Sequence, residues 1–403
     1  MSKVIEQYID REFKKTIRNQ REDSDSLIGL PFPYTVPCPD DTFLEMYYWD
    51  TYFTNVGLIA KGNIELAKSN VDNMLWLVEK YGFMPNGNRT YYLNRSQPPF
   101  LWRAVKDIFD VTNDIEWLET SYKTLCKEYT FWQTKRLAEN GLNFYGNHEG
   151  LTEERVQALY KDFTKRSGGF TAEDYETRVK MAHSIRTFVE SGWDCNSRFG
   201  LDGEHFNPID LNSLLYGFET QMAEFAEILK IDDIDLWKQR AEDRKNKMNI
   251  FLWSDEKNMY LDRNFETGVF SPIVSAASLY PYFVGLSFDT DDVKKLIDIL
   301  LLAFGISACA DGEAVNGFQW DYPNIWPPVQ YIAYEACVNC GLRNEADEIK
   351  NRYIRLIETC FENTGKLWEK YNGITGDVSN EDYTAPSMMG WTSGLYWLFK
   401  SIK

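Results

Sequence analysis

No apolar run in the chain approaches the roughly 18–20 residues needed to cross a bilayer, so no membrane partner is expected. The first nineteen residues alternate apolar positions with Lys3, Glu6, Asp10, Arg11, Lys14 and Lys15. They hold no continuous apolar core of the signal-peptide kind, and the chain reads as cytoplasmic. Histidine is scarce. His148, His183 and His205 lie far apart, which gives no basis for a histidine-bound metal or a histidine-dependent triad. Seven scattered cysteines, an odd number without framework spacing, read as reduced thiols. Cys337 and Cys340 form a C-x-x-C, but within a helical pattern and with no second pair, so they read as a buried helix face. Basic residues are in deficit, 43 Lys and Arg against 61 Asp and Glu. A net charge of −18 repels phosphate backbones, so nucleic acid is not an expected partner. Alternating strand patterns are nearly missing; the one stretch read as a strand is residues 89–93.

What is present is helical periodicity and aromatic rings. Ile64, Ala67, Val71, Met74, Leu75 and Val78 make one apolar stripe, and Leu211, Leu214, Leu215, Phe218, Met222, Phe225 and Leu229 another. Further helices are predicted near residues 4–19, 48–61, 100–112, 115–138, 172–190, 234–252, 271–285, 290–303, 326–340, 344–362 and 387–401. Two kinds of connection separate them. Short polar ones, such as residues 61–63 and 231–233, alternate with long ones rich in Pro, Gly, Asn and aromatics, at residues 30–47, 82–99, 191–210, 305–325 and 366–386. Tight and long connections in alternation imply antiparallel helix pairs with the long loops gathered at one end, where function concentrates. An all-α toroid of such pairs is expected over residues 1–403 as one domain, with residues 146–170 a flexible insertion or lid.

Trp-Asp occurs three times in these loops, at Trp49–Asp50, Trp193–Asp194 and Trp320–Asp321. A single such Asp is best explained as a helix cap. Three of them in long aromatic loops fit a shared cleft, in which a ring face stacks on a sugar and a carboxylate accepts its hydroxyls. Hydrolysis of an acetal needs two carboxyl groups, one to protonate the leaving oxygen and one to attack or to activate water. A donor working near neutral pH needs a raised pKa, which burial beside aromatics supplies. Asp194 and Glu369, each beside a Trp, suit this, but spacing alone does not choose them over Asp50, Asp321 or Asp382.

Several motifs, in order along the chain, resemble those of glycoside hydrolase family 37, the trehalases. They are FLEMYYWDTY at 43–52, PNGNR at 85–89, RSQPP at 95–99, ESGWD at 190–194, DLNSLLY at 210–216, QWDYPNIWPP at 319–328, EKY at 369–371 and GWTSG at 390–394. The resemblance implies an (α/α)6 barrel and an inverting hydrolase of a small disaccharide or glycoside, foremost α,α-trehalose, that needs no metal or organic cofactor. It makes Asp194 the general acid and Glu369 the general base, with carboxyls about 6.5–9.5 Å apart to admit a water. It implies sugar contacts at Phe43, Trp49, Asp50, Asn86, Arg95, Gln97 and Gly192. Trp320, Asp321 and Trp326 join that expected set from the second long motif, and Asp382 from the loop before Tyr383.

The chain departs from the family pattern in its sugar contacts. Thr42 stands where the family carries an Arg before its Phe, and Asp40–Asp41 where it carries glycines. The Arg-Pro-Glu sugar clamp is missing; Asn147, His148 and Glu149 are the nearest residues to it. The glycine-rich lid is replaced by residues 372–380. A guanidinium fork is not replaced by another side chain without consequence. The expected alternatives to trehalose are therefore another small α-glucoside and, from a different class, a non-catalytic sugar-binding module.

Overall fold

A computed structural model describes residues 2–40, 42–147, 150–166, 171–312, 318–380, 383–387 and 390–402. Among these, fourteen α-helices carry the fold, and strands are confined to two-residue pairs that pin loops together. In chain order the helices are α1 (Ser2–Phe13), α2 (Tyr48–Ala60), α3 (Ile64–Tyr81), α4 (Leu101–Thr112), α5 (Ile115–Lys135), α6 (Glu153–Arg166) and α7 (Tyr175–Ser191). They continue with α8 (Ile209–Leu229), α9 (Ile234–Phe251), α10 (Tyr280–Phe283), α11 (Thr290–Leu300), α12 (Pro327–Asn339), α13 (Arg343–Thr364) and α14 (Gly390–Ser401).

Six helices form an inner ring in which each packs on the next: α2, α4, α8, α10, α12 and α14, with α14 closing on α2. The inner helices α2, α8 and α12 are buried along most of their length, as a helix apolar all round must be. The outer layer, α1, α3, α5, α9, α11 and α13, packs one face inward; α3 buries Ala67, Val71, Met74 and Val78, the stripe read from the sequence. This is an (α/α)6 barrel. Closure depends on the α2–α14 crossing, where Gly57 and Gly394 face each other so closely that a Cβ built on Gly57 would lie 2.2 Å from the Gly394 Cα.

Helices α6 and α7 stand outside this ring as a hairpin between α5 and α8. They enclose a separate apolar cluster that includes Phe163, Met181, Ile185, Phe188, Phe199 and Phe318. The expected flexible insertion at 146–170 is thus largely a four-turn helix in its described part. Other boundaries also move. Residues 89–93 form no strand: a 3-10 turn covers Thr90–Tyr92, because Tyr47 and Leu27 pair with Gly87 and Arg89 through isolated bridges only. The helix predicted at 4–19 ends at Phe13 and continues as a 3-10 turn and a two-residue strand. Residues 271–285 yield only a 3-10 turn and the short α10, since Ser271 and Ser275 keep the backbone extended through hydrogen bonds to residues 262 and 309.

Candidate active site

The long loops 30–47, 82–99, 191–210, 305–325 and 366–386 lead into the N-termini of the inner helices α2, α4, α8, α12 and α14, and short connections leave the C-termini of α2, α4, α8 and α12. The loops therefore gather at one mouth, toward which the positive ends of the inner helix dipoles point. A cavity of about 510 Å³ opens there. Phe43, Trp49, Asp50, Asn86, Arg95, Gln97, Gly192, Asp194, Trp320, Trp326 and Glu369 all line it, contributed by five separate loops.

Its floor is aromatic. Trp320 lies face to face on Trp326 with centroids 4.0 Å apart and on Trp193 at 4.9 Å. Trp49 leans on Trp320 at 5.7 Å, and Trp391 sets its edge to Trp49 and Trp326. The approach of Trp49 explains the glycine before Trp193. Gly192 caps α7 at φ +73°, and a Cβ there would lie 2.7 Å from the indole of Trp49. Arg198, fully buried, stacks on Trp193 at 4.6 Å while it binds Asp210 at 2.6 Å and both oxygens of Asp262 at 2.9 Å. The loop that carries Asp194 is thus bolted to α8.

The carboxylates sit in unequal surroundings. Burial in the wall raises the pKa of Asp194 from its ordinary value, opposed by the guanidiniums of Arg166 and Arg95. Arg166 Nη1 is 3.1 Å from Asp194 Oδ2. Glu369 is buried on the opposite loop, and the Tyr383 hydroxyl donates to its Oε1 at 2.7 Å. Asp50, in the first turn of α2, is pushed up to about 8 by burial and then by the charges of Glu369 and Asp194. Three carboxyls converge on one cavity, and Asp50 is the one suited to remain protonated at neutral pH.

A chain of polar contacts ties the loops of Asp194 and Glu369 together. Lys370 Nζ donates to Gln319 Oε1 at 2.7 Å, and Gln319 Nε2 donates to the main-chain oxygen of Asp194 at 3.1 Å. The strand pair Asn324–Ile325 with Tyr371–Asn372 locks the loop of Gln319 to the loop of Lys370. Trp391 Nε1 donates to the Glu369 carbonyl at 3.1 Å. Gln97 Oε1 accepts from the Trp49 amide at 3.2 Å, and Asn86 Nδ2 donates to the Val189 carbonyl at 3.0 Å, so both also hold the wall.

Asp321 is a correction. Expected at the sugar, it does not line the cavity: its carboxylate accepts from the amide and hydroxyl of Ser197 at 2.9 and 2.6 Å and from the Phe318 amide at 3.2 Å. Trp320 and Trp326 stack toward the cavity, and the turn between them directs Asp321 the other way. Asp382 lies outside the described residues, as do His148 and Glu149 of the clamp position. Sequence reasoning missed Arg166, Tyr383, Lys370 and Trp391. The last three sit in or beside recognised motifs and could have been found there. Arg166 had no such signal, because it comes from the inserted helix α6. Thr42 lines the cavity, so the arginine missing at that position is missing from the site itself, while Arg166 brings a guanidinium from another direction.

Comparison with known proteins places this architecture. The family model "Trehalase" matches residues 1–401. A periplasmic trehalase of Xanthomonas axonopodis pv. citri is 32% identical, over 97% of this chain and 72% of that protein. A second, from Xanthomonas campestris pv. campestris, is 31% identical with the same coverage. Among solved structures, the neutral trehalase of Saccharomyces cerevisiae superposes with a TM-score of 0.78 at 25% identity, over 92% of this chain and 74% of that one. A family 63 mannosylglycerate hydrolase from Thermus thermophilus shares the fold, with a TM-score of 0.63 at 14% identity over 91% of this chain and 96% of that one. The cytoplasmic location expected from the N-terminus and the thiols is overturned by the Xanthomonas relatives, which are named as periplasmic. Six cysteines are buried and Cys126 is half-buried; thiols shielded by packing resist oxidation in any compartment, so their reduced state carries no address. From its first residues to its last helix the chain belongs to the trehalase family.

Proposed function

We propose that this glycoside hydrolase cleaves α,α-trehalose to glucose by inversion, with Asp194 as proton donor and Glu369 as the base that activates water. The observation that carries the reading is the convergence of these two carboxyls, from separate loops, on one indole-lined cavity. Its volume of about 510 Å³ falls within the roughly 300–1,000 Å³ usual for small-molecule sites.

A pyranose stacks its C–H face on an indole of the wall. The glycosidic oxygen lies toward Asp194, whose burial favours the protonated form, and the proton passes to that oxygen as the bond to the anomeric carbon breaks. On the other face Glu369, oriented by Tyr383 and by its main-chain bond to Trp391, takes a proton from water as the water oxygen attacks that carbon. Asp194 ends as carboxylate and Glu369 as acid, and solvent exchange restores both. Asp50, protonated near neutral pH, donates a hydrogen bond to a sugar hydroxyl without adding a third negative charge.

Proton NMR of the first product tests the stereochemistry. Inversion releases one β-glucose and one α-glucose from each trehalose, whereas initial release of α-glucose alone would refute it. Asp194→Asn and Glu369→Gln should each abolish turnover while the circular dichroism spectrum stays native. Activity near wild type in either variant would remove that residue from its role.

A further inference from the structure

A second cavity, of about 610 Å³, adjoins the first and shares Arg95, Asp162, Arg166 and Val189 with it. Its charge is unlike that of the chain as a whole. Five arginines, Arg95, Arg136, Arg155, Arg166 and Arg186, line it against one carboxylate, Asp162, among the described residues. This occurs in a chain with 61 acidic and 43 basic residues. Some of that charge is balanced from behind: Arg136 is held bidentately by Glu190, and Arg166 lies between Asp162 and Asp194. Arg95 and Arg155 make no ion pair with any described carboxylate; Arg95 stacks on Tyr92 and donates to Asn94. The inserted helix α6 builds this wall, since Arg155, Leu159, Asp162 and Arg166 recur at four-, three- and four-residue steps along one face.

Guanidiniums gathered around a cavity repel one another, and an anion relieves that repulsion. The planar fork matches phosphate and carboxylate oxygens two at a time. We infer that the second cavity receives an anionic group, phosphate or carboxylate, carried by the leaving half of a glucoside whose other ring occupies the first cavity. Arg95 and Arg166 stand at the boundary and face both. The inference rests on the hydrolase reading of the first cavity and deepens it: the preferred substrate is an anionic α-glucoside, and trehalose is its uncharged counterpart.

The test compares kcat/KM of the full chain on trehalose 6-phosphate, glucosylglycerate and trehalose, in wild type, Arg155→Ala and Arg186→Ala. Arg155 is exposed, and unchanged thermal melting would show that its variant folds. One anionic substrate should exceed trehalose by about tenfold or more, and Arg155→Ala should remove most of that advantage, as loss of a bidentate anion contact does. Preference for the phosphate ester or for the glycerate identifies which anion is meant. Trehalose as the best of the three would overturn the inference, and so would an anionic preference that survives both substitutions. Calorimetric titration of the Glu369→Gln variant with the same three compounds separates the two readings. Tighter binding of an anionic compound, without turnover of any substrate by wild type, would sink the hydrolase assignment and keep the anion site. Trehalose turnover with no anionic preference would do the reverse.

Discussion

Replacing Arg166 by Ala should move the basic limb of the pH–rate profile upward. The donor must be protonated, so kcat/KM falls as pH rises through the pKa of Asp194 in the free enzyme. The groups acting on that carboxyl are Arg166 and Arg95, which draw its pKa down, and Asp162, which raises it, against the upward push of burial. Arg166 is the nearest, with its Nη1 3.1 Å from Oδ2. Two charges about 4 Å apart interact by about 4 kcal/mol at an effective dielectric of 20 and by about 1 kcal/mol in water. Both side chains are about a third exposed, 30% and 33%, so the lower part of that range applies. One pKa unit corresponds to about 1.4 kcal/mol, and the expected displacement is about one unit. Losing Arg166 also removes the ion-pair partner of Asp162, whose repulsion of Asp194 acts in the same direction. The assay is kcat/KM on trehalose from pH 4 to about 10. Arg166→Lys should keep the limb near its wild-type position. The charges that act on Asp50 are those of Glu369 and Asp194, so the same displacement should persist in an Asp50→Asn background if activity can be followed there. A limb that stays fixed or moves downward in Arg166→Ala would refute the assignment of that limb to Asp194 beneath an Arg166 cation.

Asp50→Asn should change how stability depends on pH. With its folded pKa at about 8 and an unfolded value near 3.9, the folded chain holds a proton that the unfolded chain releases. Stability therefore falls as pH rises between about 4 and 8, and the variant should gain on the order of 4 kcal/mol at pH 8 relative to pH 5, read as a change in Tm; an equal pH dependence in both proteins would contradict this. Gly57→Ala should destabilise by about 2 kcal/mol in urea unfolding, since a methyl 2.2 Å from the Gly394 Cα forces backbones apart at a cost that exceeds the gain in helix propensity; an unchanged midpoint would show that α2 and α14 can separate freely. Arg198→Met should cost about 3–5 kcal/mol, because it leaves Asp210 and Asp262 buried without their cation; a smaller loss would mean that water reaches them.

The fold was legible because its two signals are physical. Ala67, Val71, Met74 and Val78 had to face a core, and the alternation of three-residue turns with long aromatic loops had to place those loops at one end. The site was legible where a residue's neighbours in sequence are also its neighbours in space, as with Trp193–Asp194 and Trp368–Glu369. Asp321 shows the limit: the same Trp-Asp dipeptide directs its carboxylate away from the cavity once the Trp320–Trp326 stack fixes the turn. Residues 89–93 alternate like a strand but have no partner to extend a ladder with. Neither the first nineteen residues nor the thiols carried the location: six of the seven cysteines are buried, and a packed thiol is shielded in any compartment.

Arg166 could not be read from sequence at all, and the reason bears on how the site differs from the family pattern. A guanidinium at position 42 would reach the cavity from the loop before α2, where Thr42 now stands. Arg166 arrives on α6, a helix whose attachment is a separate apolar cluster that includes Phe163 and Phe188. A charge delivered on a different element points along a different line, so it cannot bind the same hydroxyls in the same way. It meets Asp194 instead, and its helix carries Arg155 about three turns away, along the same face and into the neighbouring cavity. Asp194 and Glu369 stand on loops of the barrel, while Arg155 and Arg166, which line the neighbouring cavity, stand on a helix outside the ring, so substitutions on α6 can alter that cavity without touching the inner helices.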